Sequence, residues 1–201
     1  MTRTAPAALL TLISICLPAQ DNTVPAPEPV AFSLVEGSTD LSPHGINASS
    51  CISVTSNGHF HIEMRFQQLP QDYATLHIYE SSLDDFQMQR LKNLLNSQSI
   101  RDLAPYTHPI TPMLGRYFSE VYVHIPREHT SQNIGYLMWD EQTATPNASP
   151  ESTPAAIKEE WRSARTTLVP LVQWFHEVEG MKWPEVPASR SNLCGLNLGN
   201  W

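Results

Sequence analysis

Residues His59-Phe60-His61-Ile62-Glu63-Met64-Arg65-Phe66 alternate without a break. Phe60, Ile62, Met64 and Phe66 share one face; His59, His61, Glu63 and Arg65 share the other. A period of two over eight residues specifies a half-buried antiparallel strand and is incompatible with a helix. Asn57-Gly58 stands just before it, and both residues tolerate positive φ, so a tight hairpin joins it to Cys51-Ile52-Ser53-Val54-Thr55. After a turn around Pro70, Thr75-Leu76-His77-Ile78-Tyr79 reads as a third strand, with Leu76 and Ile78 inward and His77 and Tyr79 outward. Two more strands follow at residues 116–125 and 134–139, joined by a polar turn. Short connections between neighbouring strands favour an antiparallel sheet.

The apolar period changes to helical in two places. Ser82 opens the first helix, with Asp85 in its first turn and Leu83, Phe86, Leu91, Leu94 and Leu95 near one face; it should end near Ser97. Thr153 and Pro154 start the second. Its stripe of Ile157, Trp161, Ala164, Leu168, Leu171 and Phe175 runs to a stop at Gly180, and Pro170 inside it predicts a kink or a break. The expected fold is therefore α+β, an antiparallel sheet of about five strands with two amphipathic helices packed on one face. Its single domain spans residues 51–180.

The flanks carry most of the 17 prolines. Residues 1–19 read as a signal peptide: Arg3, then an apolar run from Ala7 to Leu17, then cleavage after Ala19. That run is too short to span a bilayer, so no membrane span is expected in the mature chain. Residues 20–50 read as a Pro-rich, low-order lead in which Val30 to Val35 is the only patch fit for an edge strand. The irregular tail, 181–201, contains Cys194. Signal removal takes Cys16 away and leaves Cys51 and Cys194. In an oxidising compartment, secreted or periplasmic, the two should pair and tie the tail back across a loop of about 140 residues. A net charge of −8 without a Lys/Arg cluster argues against a nucleic-acid partner.

The succession LHIYESSLDDFQMQRLKNLL (76–95), VYVHIP (121–126), LVPLVQWF (168–175) and a lone late cysteine resembles a family of secreted proteins of acidobacterial-type soil bacteria. The resemblance covers residues 51–195. Its motifs are strand and helix signatures, and the family brings no activity with it. The hairpin-then-helix part alone, residues 51–97, is similar to small emfourin-type metalloprotease inhibitors. That likeness implies inhibition of a secreted protease but assigns no inhibitory residue; an inhibitor would be expected to dock an exposed loop, such as 104–115, in the protease cleft.

Histidines concentrate the remaining chemistry. His59, His61, Glu63 and Arg65, with His77 and Tyr79 from the next strand and His124 from a later one, form a candidate binding face for a protein or glycan partner. A solvated sheet face produces the same alternation. His59, His61 and His77 are the candidate ligands of a metal-dependent hydrolase, since a His-x-His pair on a strand can aim two imidazoles at one ion. No nucleophile elbow, HExxH or phosphate-binding loop is present, so no catalytic residue and no cofactor is assigned. The leading expectation is a secreted, non-enzymatic binding or interaction module. Asn47-Ala48-Ser49 and Asn147-Ala148-Ser149 match glycosylation sequons in predicted loops.

Overall fold

A computed structural model describes residues 29–40, 42–71, 73–106, 117–139, 155–191 and 194. The fold is α+β, with one antiparallel sheet and three helices. The strands are β1 (Val30–Asp40), β2 (Ile46–Thr55), β3 (His59–Gln68), β4 (Thr75–Ser82), β5 (Tyr117–Pro126), β6 (Ser131–Trp139) and β7 (Glu185–Val186). The helices are α1 (Asp85–Leu95), α2 (Gln98–Arg101) and α3 (Ala155–Glu179).

The sheet has seven strands, not about five, in the order β6-β5-β1-β2-β3-β4-β7. The two additions come from the flanks. β1 lies in the stretch expected to be a lead. Far from forming an edge, it sits between β2 and β5 and pairs along its length with both. Its Phe32 and Leu34 are fully buried, which explains the position: the one apolar patch of that stretch is core. The expected start of the domain at residue 51 therefore falls inside β2. β7 adds two residues from the tail beside β4.

The helices cover one face. Leu91 and Leu95 of α1, Ile100 of α2, and Trp161, Ala164, Leu168, Leu171, Trp174, Phe175 and Val178 of α3 join one core with Phe32, Leu34, Ile52, Val54, Phe60, Ile62, Val121, Val123 and Ile134. Phe32 and Trp174 meet edge to face with centroids 5.9 Å apart. Helix α1 begins later than its expected cap: Asp84, not Ser82, is the N-cap, its carboxylate accepting from Gln87 N–H at 2.7 Å. Helix α3 continues through Pro170 as one 25-residue helix. Its expected cap at Thr153 and Pro154 lies outside the described residues. Trp183 closes the core edge, 4.8 Å from the Phe60 ring, and donates its indole N–H to Val178 O. Phe66 keeps the helix-side parity of its strand but is 46% exposed.

The expected disulfide is present. Cys51 in β2 joins Cys194, with Cα atoms 6.0 Å apart and 143 residues between them in sequence. It fixes the tail against the sheet face opposite the helices.

Candidate functional site

Register decides which candidates share a face. His61 stands opposite Ser53 on β2 and Glu80 on β4; Ser53 stands opposite Ser33, and Ser33 opposite His124. Directly paired residues project to one side of a sheet. His124, Ser33, Ser53, His61 and Glu80 thus form one polar row on the face opposite α1, α2 and α3. His59, Glu63 and Arg65 share that face as alternate residues of β3.

His77 and Tyr79 do not. His77 pairs with Met64, and Tyr79 with Ile62, so both face the helices. Tyr79 packs on the core, and His77 reaches Glu185 Oε1 at 2.8 Å. The assignment of β4 is inverted because the tail covers the other side. Ile78, 1% exposed, is buried beside Val186 and Glu63 rather than under the helices. With both faces of β4 covered, apolarity alone does not point to the core.

His61 and Glu63, expected in solvent, are 6% and 4% exposed. The ring's Nε2 lies 2.9 Å from Glu63 Oε1 and its Nδ1 lies 3.0 Å from Glu80 Oε1. Each ring nitrogen is thus taken up by a carboxylate rather than turned toward His59 or His77. The hydroxyl of Ser191 donates to Glu63 Oε2 at 2.9 Å, and Arg190 Nη2 donates to Glu80 Oε2 at 2.8 Å. His59 meets Ser82 through Nδ1, and His124 meets Asn133 through its own Nδ1. The three proposed metal ligands therefore do not converge. Among the described residues, no group of three His, Cys, Asp or Glu side chains is placed to hold an ion.

The Arg190 guanidinium holds the Glu80 carboxyl below its ordinary 4.5, and His61 adds to this. A carboxyl depressed on folding contributes stability that is complete above its unfolded value and lost as pH falls through the folded one. The protein should lose stability below about pH 4.5. Glu80→Gln should shrink that acid-side loss, measured by urea denaturation between pH 6 and pH 3.

Beside this network lies a trough of about 390 Å³. Side-chain size carves it. On the open face, β1 offers Val35, Gly37 and Thr39, and β2 offers Asn47, Ser49 and Cys51. These short groups make the floor. The longer Phe118, Glu120 and Tyr122 of β5 make one wall, and Glu63, Arg65 and Gln67 of β3 the other. Three strand spacings separate the wall strands, about 14 Å, and alternate residues along a strand give a similar length.

Tyr106 crosses the edge of β6, where its N–H bonds Asn133 O, and its hydroxyl donates to Glu120. Burial and that carboxylate push the Tyr106 phenol well up, so it remains a donor. Asn47, expected in a loop, is in β2, and its Oδ1 is buried without a hydrogen-bond partner. The second sequon, at Asn147, lies outside the described residues. Sequence reasoning found Glu63 and Arg65 but missed Gly37 and the β5 wall. The one available signal was weak: Gly37 follows the apolar run at residues 30–35 but stands among residues of low β propensity.

No protein-family model and no curated protein matches this chain.

Proposed function

We propose that this chain is a secreted or periplasmic, non-enzymatic binding module, and that the trough on the sheet face opposite α1, α2 and α3 is its ligand site. The signal-like N-terminus, the paired cysteines and the resemblance to secreted soil-bacterial proteins support the compartment. Among the described residues no helix is long and apolar enough to cross a membrane.

Gly37 carries the assignment of the site. It lies within a central strand, where glycine costs about 0.5–1 kcal/mol relative to alanine. Its φ is not in the left-handed region, which Gly58 alone among the described glycines occupies. A Cβ built on Gly37 would meet only Ala48 O, at 4.0 Å. Gly135 contrasts, since its Cβ would strike Val121 O at 2.3 Å. Neither backbone nor packing demands the glycine at 37. Its effect is to keep the trough floor low, and glycine inside a strand commonly marks a place where a ligand approaches the backbone. The volume falls in the range of small-ligand pockets.

Gly37→Val tests this directly. The variant should fold with unchanged or slightly higher stability, up to about 1 kcal/mol, because valine suits a strand. Its side chain should fill the trough and abolish binding of whatever ligand a small-molecule and glycan screen finds for the wild type. A ligand bound equally by both proteins would place the site elsewhere.

The second reading, inhibition of a secreted protease, falls on loop 104–115, of which residues 107–115 lie outside the described residues. It is tested by assaying secreted metalloproteases with and without the chain.

A further inference from the structure

We infer that the trough takes a small amphiphile, an apolar body carrying one carboxylate that Arg65 receives. The inference rests on the trough being the ligand site and adds the chemistry of the occupant.

Three charged side chains line the trough: Glu63, Arg65 and Glu120. Both carboxylate oxygens of Glu63 are engaged, one by His61 and one by Ser191. Glu120 accepts the Tyr106 hydroxyl. Arg65 is exposed, and among the described residues its guanidinium shows no hydrogen bond and no ion pair. A free guanidinium is conspicuous in a chain with 12 Lys+Arg against 20 Asp+Glu. Its neighbours across the strands are Ser49 and Leu76, neither of which is charged.

The guanidinium's planar fork matches a carboxylate in two parallel hydrogen bonds. Two lining carboxylates oppose a more highly charged phosphate. The floor between the walls offers Val35, the Gly37 backbone and the Thr39 methyl, and the β5 wall offers Phe118 and Tyr122. These surfaces suit an apolar body lying along the strands while its head meets Arg65.

Isothermal titration of the full chain with decanoate, below its micelle concentration, tests the inference, with decanol as the uncharged probe. Decanoate should bind the wild type more tightly than decanol does. Arg65→Gln should weaken decanoate about tenfold or more, as loss of a charge-assisted contact does, and leave decanol unchanged. Arg65→Lys should recover part of the loss. Gly37→Val should bind neither probe. Decanoate affinity unchanged in Arg65→Gln, or no decanoate binding to the wild type, overturns the inference. Equal binding of decanol and decanoate, both lost in Gly37→Val, removes the carboxylate but keeps the trough. Decanoate bound undiminished by Gly37→Val overturns the trough itself.

Discussion

Replacing both bridged cysteines, Cys51→Ser with Cys194→Ser, should lower the stability of the protein by about 4 kcal/mol. The bridge closes 143 residues, most of the described fold. Constraining so long a loop in the unfolded chain is worth roughly 5 kcal/mol on entropic grounds, and measured losses for native bridges run at about 2–5. A second contribution is local. Cys194 is fully buried, and the segment leading to it supplies β7, the Arg190 contact to Glu80 and the Ser191 contact to Glu63. Releasing the bridge leaves those contacts to hold the tail alone, with the ordering entropy of the tail against them. Urea denaturation of the variant, beside the wild type with and without reductant, measures the loss. The reduced wild type should coincide with the variant. A variant midpoint equal to that of the oxidised wild type would show that the noncovalent contacts suffice.

How much of this was legible beforehand depends on which faces of each strand are covered. The helix-facing side of β3 read correctly because Phe60, Ile62 and Met64 meet the helices and its other face is polar, although the tail buries His61 and Glu63 there. β4 read inverted because Ile78 is buried under the tail. An alternation pattern reports burial, and it names the face only when the apolar residues are all on the helix side. β1 was nearly missed for a related reason. Phe32 and Leu34 supply its core face, but Gly37, Ser38 and Thr39 look like a loop. They are strand because β2 and β5 bond to them on both sides, a tertiary gain that outweighs weak local propensity.

The trough was illegible for a further reason. It depends on β5 and β3 standing three strand spacings apart, with β1 and β2 between them, and on which of their alternate residues share a face. Strand order is a property of long-range pairing, and nothing in the spacing of residues 117–126 places them beside β1. The cysteine pair, by contrast, needed only compartment and parity.

His61→Leu should cost about 3 kcal/mol, a large loss for one side chain on a sheet face. The imidazole is the shared partner of Glu63 and Glu80, and Glu63 is 4% exposed. Removing the ring takes one donor from a buried carboxylate, whose other oxygen the Ser191 hydroxyl still meets. Breaking one member of such a pair is worth about 3–5 kcal/mol, most of it the penalty for the charge left behind. Glu80 suffers less, because Arg190 still holds it. Removing the stranded charge as well should therefore restore stability. Glu63 stands between Cys51 and Ile78 on its neighbouring strands, both buried, so leucine there meets apolar neighbours. His61→Leu with Glu63→Leu should recover at least half of the single-variant loss, since a buried, hydrogen-bonded polar pair replaced by apolar groups is often neutral. Urea midpoints of the wild type, both singles and the double complete the cycle. A double variant no more stable than His61→Leu would mean that the ring works by packing alone. The recovery expected here would identify the network as a polar clasp, in which sheet residues 61, 63 and 80 grip tail residues 190 and 191. Its geometry is held by shared hydrogen bonds, next to the trough wall that Arg65 extends.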